Sequence, residues 1–405
     1  VFDAAGKIVD FGPWDIAQRY SAGRLLDLSG KLILPGFVDS HVHLPQYVFA
    51  GLGAHELLPW LETFTFPIEA RFADDSFAQV AVDRFFSDLV AEGTTFASVY
   101  ATSHTRATEI AFAAAEAKGL RAVIGKILME RNAPAEICGD WREALVDSER
   151  LAERWHGRDG RLFYAVTPRF AITCGEESMR AAGELARRRD LFVQTHLSEN
   201  RDEITFVKSL FPKCKSYTDV YHTCGLLGPR TLLGHCIHLD GAEIRTLLES
   251  GAVAVHCPTS NRHLQSGFFP LRRYQDLGLR MALGSDVAGG YCLSMLHEMR
   301  EAIETTKSWN IANHAEKLPP LSVAEALYQA TLGGAEALGA ADVVGSFAVG
   351  KEADFVVVDD DLLNRFQDTG LFQTPLDRLA RVVYRSSTRE IAATYVRGKA
   401  VFERT

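Results

Sequence analysis

Between Gly36 and Gly345, short apolar runs alternate with longer stretches whose apolar positions recur at helical spacing. That alternation predicts repeated βα units around a parallel sheet. The runs lie at Phe37 to Ser40, Thr94 to Tyr100, Ala122 to Ile127, Phe163 to Thr167, Leu191 to Thr195, Thr231 to Leu233, Ala252 to Val255 and Met281 to Leu283. Eight such units predict an α/β protein with a closed, TIM-like (β/α)8 barrel rather than an open sheet. Helix punctuation agrees. Asp240 and Glu243 form an N-cap-like pair ahead of Ile244, Leu247 and Leu248, with Gly251 as the stop, and Ser322 with Glu325 repeats the start signal with Gly339 as its stop.

The two ends read differently. Lys7 to Phe11, Leu25 to Leu34, Asp354 to Val358 and Ala392 to Phe402 are short β-like stretches, with Gly12, Gly30, Gly350 and Gly398 at turn positions. Both termini are therefore expected to meet in one small β-sandwich domain, residues 1–35 plus 346–405, beside a barrel over residues 36–345. The chain opens at Val1 without an initiator Met, and residues preceding it are expected.

Composition narrows the function class. At 405 residues the chain exceeds the usual single core but suits a barrel with an appended domain, and 47% hydrophobic with 23% charged residues is an ordinary globular balance. A net charge of −9 without a basic, aromatic-interleaved stripe argues against nucleic acid as a partner. No apolar run is long enough to cross a bilayer and no basic-then-apolar leader opens the sequence, so no membrane partner is expected. Seven cysteines, an odd number with no C-x-x-C pair, point to a reducing, cytoplasmic setting.

Catalytic groups of an α/β barrel stand at the C-terminal ends of its strands. His41 and His43 follow the first run, His196 the fifth, His235 the sixth and Asp286 the eighth. Strand alternation puts the imidazoles of His41 and His43 on one face, although one such pair arises easily by chance among 13 histidines. Four histidines and an aspartate at predicted strand ends are far harder to explain as packing. Imidazoles with one carboxylate and no thiolate suit Zn²⁺, with Fe²⁺ as a substitute, and such an ion lowers the pKa of a water to about 7. Glu199, in Ser198-Glu199-Asn200 just after His196, is the candidate proton shuttle; the alternative is a solvated glutamate at a helix start. Gly51 to Phe66, rich in aromatics, is a candidate lid or dimer contact.

The segments Pro35-Gly36-Phe37-Val38-Asp39-Ser40-His41-Val42-His43, Thr195-His196-Leu197-Ser198-Glu199-Asn200, Gly284-Ser285-Asp286 and Val349-Gly350-Lys351-Glu352-Ala353-Asp354 resemble the motifs of the amidohydrolase superfamily, across essentially the whole chain. More narrowly, His43-Leu44-Pro45-Gln46, Thr167-Pro168-Arg169-Phe170, Ser198 to Glu203 and Asp286-Val287-Ala288-Gly289-Gly290 resemble the guanine deaminase family. The resemblance implies hydrolytic removal of ammonia from guanine to give xanthine, in purine catabolism, by a homodimer. It implies one zinc per subunit held by His41, His43, His196, His235 and Asp286. Gln46, Arg169 and Phe170, with His196 and Asp286, would line the purine pocket, and Glu199, His235 and Asp286 would carry the chemistry.

The purine assignments suit the chemistry of guanine, whose carbonyl, ring acceptors and amine match a guanidinium, an amide and an aromatic wall. Arg169 paired with a surface carboxylate and Phe170 in the core are the bland alternatives. Binuclear members of the superfamily carry a carboxylated lysine after the fourth strand, where this chain has Pro168 and Arg169, so one metal is expected; Lys126 reads as a structural or substrate-facing amine. His104, His238 and His256 are either donors orienting the site or structural, and Cys236 and Cys257 are expected to be small buried groups. The competing readings are a deaminase of 8-oxoguanine, another aminopurine, a pterin or a triazine, and a catalytically inactive scaffold relative.

Overall fold

A computed structural model describes residues 1–21, 23–53, 56–361, 363 and 374–404. Each of the eight apolar runs contributes to the barrel. β1 (Leu32–Pro35) precedes it, and its wall is β2 (Phe37–His43), β3 (Thr94–Tyr100), β4 (Arg121–Gly125), β6 (Leu162–Pro168), β7 (Phe192–Leu197), β8 (Thr231–His235), β9 (Val253–His256) and β10 (Arg280–Leu283). The third run is split at Lys126, after which the short β5 (Ile127–Leu128) pairs with β6. All the wall ladders are parallel, in the order β2-β3-β4-β6-β7-β8-β9-β10. Strands covered on both faces need apolar side chains at consecutive positions, which is why these runs do not alternate.

β10 and β2 close the circle through bonds made just beyond the last strand. Asp286 N–H donates to His41 O (2.8 Å), His43 N–H donates to Val287 O (3.2 Å), and the buried Asp39 carboxylate accepts from Ser285 N–H (3.0 Å). The seam of the barrel is thus built from the residues that flank the candidate ligands.

Asp240–Glu243 and Ser322–Glu325 both form reciprocal capping boxes, and Gly251 ends the Gly241–Ser250 helix with φ +71°. The helix expected from Ser322 to Gly339 is instead two, Val323–Gln329 and Leu332–Ala337, broken at Thr331. The Thr331 hydroxyl donates to Leu327 O, and the second helix presses Gly334 onto Val38, where a Cβ would lie 2.8 Å from that side chain.

The terminal segments form an antiparallel sheet in the order β1-β11-β12-β13, with β11 (Phe355–Val358), β12 (Ile391–Val396) and β13 (Lys399–Glu403). Lys7 and Ile8 join by isolated bridges to Glu352 and Phe2. The strand expected from Leu25 begins only at Leu32, because the Asp27 side chain accepts from Ser29 N–H and turns the chain there. Ile8, Phe355, Val357, Ala393 and Tyr395 make a separate small core, tied to the barrel by the buried Arg121–Glu352 pair (2.9 Å). Residues 362, 364–373 and 405 of the expected 346–405 segment lie outside the described residues. Among the described residues, no helix is long and apolar enough to cross a membrane.

Candidate metal centre and active site

The ends of β2, β7 and β10 converge. Ligand atoms of His41, His43, His196 and Asp286 all lie within 4.8 Å of one another, and all four residues are buried. His43 Nε2 stands 3.0 Å from His196 Nε2, and Asp286 Oδ1 stands 3.2 Å from His41 Nε2 and 3.4 Å from His43 Nε2. Ligands about 2.1 Å from an ion in a tetrahedral shell are separated by about 3.4 Å, so this spacing fits a small divalent metal.

The protonation states agree. Burial, reinforced by neighbouring imidazoles, drives His43 and His196 well below the usual histidine range, so they present lone pairs. Burial raises the Asp286 carboxyl, but His41, His235 and His43 outweigh it and hold the group well below the ordinary carboxylate range. His41 Nδ1 and His43 Nδ1 are buried and lack a hydrogen-bond partner among the described residues, which is costly unless something else engages them. His196 is oriented from behind, with Nδ1 2.7 Å from Arg169 O.

His235 stands apart from this quartet. It groups with Asp286 and Cys257, and its Nε2 lies 3.6 Å from Asp286 Oδ2 and 3.3 Å from Glu199 Oε2. Burial opposes its charged form, but the carboxylates of Glu199 and Asp286 prevail and raise its pKa. Its Nδ1 is 2.9 Å from Asn261 Oδ1, which fixes a proton on that nitrogen. His235 and Asp286 both adopt left-handed backbone, φ +72° and +47°. Each such residue costs on the order of 1–3 kcal/mol, a strain the surrounding hydrogen bonds hold in place.

Glu199 is buried rather than solvated at a helix start. Burial raises its carboxyl to about 7, and Ser266 Oγ donates to Oε1 (3.0 Å). Glu203 holds the loop, accepting from Glu199 N–H (2.9 Å) and Asn200 N–H (3.1 Å).

A cavity with about 350 Å³ of empty space, its open mouth included, opens on these groups. Gln46, Arg169 and Phe170 line it together with His43, His196, Glu199, His235 and Asp286. Gln46 Oε1 accepts from Ala288 N–H (3.1 Å), which fixes the amide. Leu57, Trp60 and Leu61, from the segment expected as a lid or contact, form another wall; Ala54 and His55 of that segment lie outside the described residues.

Sequence reasoning missed Glu69, Asn261, Glu203, Ser266 and Leu264. Glu69 and Asn261 carry no motif signal, whereas Glu203 stands in the capping pattern Asn200 to Glu203 and was within reach. Arg169 pairs with a carboxylate, but a buried one: NH1 donates to both oxygens of Glu69, at 2.7 and 2.8 Å. Of the remaining histidines, His256 stacks on Phe269, while His238 and His104 are engaged by Ser266 O and Thr102. Cys236 and Cys257 are buried, and Lys126 is buried without lining the cavity.

The sequence profile of the amidohydrolase family matches residues 32–401. The chain belongs to that family. It is 39% identical over 405 residues to the guanine deaminase of Escherichia coli K12, covering 98% of this chain and 90% of the relative. The crystal structure of guanine deaminase from C. acetobutylicum with guanine bound in its active site superposes with a TM-score of 0.92 at 35% identity, covering 98% and 93% of the two chains. An adenosine deaminase from Xanthomonas campestris with bound zinc gives 0.86 at 27% identity, covering 98% and 86%. As in the family's barrel, the reactive groups cluster where the strands end.

Proposed function

We propose that this amidohydrolase deaminates guanine hydrolytically to xanthine and ammonia. The observation that carries the reading is one cavity in which His43, His196 and Asp286 of the quartet, the buried Glu199 and the purine-complementary Gln46, Arg169 and Phe170 face one another. The similarity to guanine deaminases over nearly the whole chain supports it.

We assign His41, His43, His196 and Asp286 as the metal ligands, with His235 directed at the same centre from the Glu199 side. The nitrogen and oxygen donor set and the zinc-bound adenosine deaminase relative support zinc, one per subunit, with Fe²⁺ as a substitute. When bound, the ion supplies Lewis acidity that brings a water's pKa towards about 7. The rest belongs to the chain. Asp286, ionised at all working pH values, accepts a proton from the attacking water. Glu199 donates its proton to the ring nitrogen beside the amine-bearing carbon, takes up the hydroxyl proton as the carbonyl forms and delivers it to the amine, which leaves as ammonia; the proton held by Asp286 then restores Glu199. His235 hydrogen-bonds the oxygen on which charge develops. Gln46 and Arg169 orient the ring by hydrogen bonds, and Phe170 supplies an apolar wall.

Purine catabolism in the cytoplasm by a homodimer is part of the same proposal. The seven unpaired cysteines support a reducing compartment, and the family resemblance supports the dimer. The test is ammonia release from guanine by zinc-loaded protein, with 8-oxoguanine and adenine in parallel and a chelated control. Chelator-sensitive release from guanine is the expected result. Release from another substrate alone would overturn the pocket assignment, and silence on all of them would favour the scaffold reading.

A further inference from the structure

Arg169 is the one guanidinium lining the cavity among the described residues, and it is not a free cation. Its NH1 is straddled by both oxygens of Glu69, with Glu69 fully buried and Arg169 2% exposed, and Phe66 from the same short helix lies 5.7 Å beneath the guanidinium. Its other N–H donors have no protein partner among the described residues. The pair therefore offers hydrogen-bond donors to a ligand while contributing no net charge. In a low-dielectric site that difference matters: an unpaired guanidinium would favour an anion strongly, and a neutralised one does not.

We infer that Glu69 is a specificity-determining residue that sets the charge of ring the pocket accepts: uncharged oxopurines are favoured and their monoanions are not. The inference rests on the deaminase reading. Its consequence falls on the product. Replacing the amine of guanine by a carbonyl adds a ring imide, so xanthine loses a proton more readily than guanine as the pH rises. A pocket without net charge on its guanidinium releases that anion instead of retaining it. Glu69 acts here through Arg169, as a positioning and neutralising group.

The experiment compares wild type, Glu69→Gln and Glu69→Asp, measuring xanthine inhibition against guanine turnover and calorimetric xanthine binding at pH 6 and pH 9. In the wild type, xanthine affinity relative to the KM for guanine is expected to weaken at pH 9. In Glu69→Gln it is expected to strengthen at pH 9, by about tenfold relative to wild type, with the KM for guanine rising more than kcat falls. Glu69→Asp, which keeps the charge, should restore the wild-type preference. An unchanged xanthine-to-guanine ratio in Glu69→Gln would overturn the inference and leave the pair a structural tie. Glu199, raised to about 7, and the ionised Asp286 face the same cavity in every variant, so their effect cancels in the variant-to-wild-type ratio; should Glu69→Gln not fold, Glu69→Ala takes its place with the same expected and the same overturning result. Calorimetry needs no turnover: an inactive wild type that binds xanthine with this pH dependence sinks the deaminase reading alone, whereas a wild type that does not bind xanthine overturns the inference as well.

Discussion

A Cβ on Gly234 would fall 2.6 Å from Cε1 of His41. Gly234 sits on β8 immediately before His235, and its missing side chain is the space the first imidazole of the quartet occupies. Gly284 does the same from the seam, where a Cβ would meet His41 Cβ at 2.7 Å. The inward imidazole has room because Gly234 on β8 and Gly284, just past β10, carry no side chain.

Gly234→Ala should therefore displace His41 and lower metal stoichiometry while the barrel still folds, since overpacking of this kind costs about 1–3 kcal/mol. Metal analysis beside circular dichroism checks this. Full metal content in a folded variant would show that His41 can move without loss.

Glu199→Gln keeps the Ser266 contact but removes the proton. Turnover should fall by about 10²–10⁴-fold with metal content unchanged, measured by ammonia release and metal analysis. Near-normal turnover would rule out the shuttle.

Asn261 does not itself line the cavity, yet its Oδ1 orients His235, which does, by holding a proton on Nδ1. Asn261→Ala should reduce kcat by about 10–100-fold, the scale typical of groups that orient a site from behind, and leave metal bound by the quartet. An unchanged kcat would mean that His235 keeps its orientation by packing alone.

His43 and His196 sit well below the ordinary histidine range, so protons compete weakly for their lone pairs. Metal should stay bound as the pH falls through 6.5, where unperturbed imidazoles would begin to lose it. Removing it with chelator should lower the melting temperature, because a ligand that binds only the folded state stabilises it. Metal retention measured after dialysis between pH 7.5 and 5.5 tests the first point, and paired thermal melts test the second.

Glu298, buried and bonded to Thr259, has its carboxyl raised to about 8 by burial. The native state keeps this proton across a window in which the unfolded chain, with a pKa near 4.5, has lost it. Its contribution is thus complete below pH 4.5 and is lost as the pH rises through 8. Glu298→Gln should flatten that decline and gain stability, on the order of a few kcal/mol, relative to wild type at pH 9. Urea denaturation at pH 5, 7 and 9 measures it; parallel curves for the two proteins would contradict the assignment.

The barrel was legible because its cause is local. Strands covered on both faces are dominated by apolar residues, and the eight runs from Phe37 to Leu283 were legible by that bias, with buried polar exceptions such as Asp39 and Gln194. The quartet was legible for a related reason: a barrel brings all its strand ends to one rim, so residues far apart such as His43 and Asp286 meet once the strands are placed. Proton-bearing Glu199 was readable from its position after His196, but only its burial in the folded chain raises it to about 7.

What the sequence alone determined is therefore the repeated units, the caps at Asp240 and Ser322, and the residues delivered to the rim. The tertiary structure decided everything that depends on which side chain stands behind another: Glu69 against Arg169, Asn261 against His235, Gly234 beneath His41, and the separation of His235 from the quartet. The physical reason is that periodicity encodes which way a residue faces along its own element. Pairing between elements distant in the chain leaves no periodic trace, so charge neutralisation, tautomer and steric room are fixed only when the barrel closes.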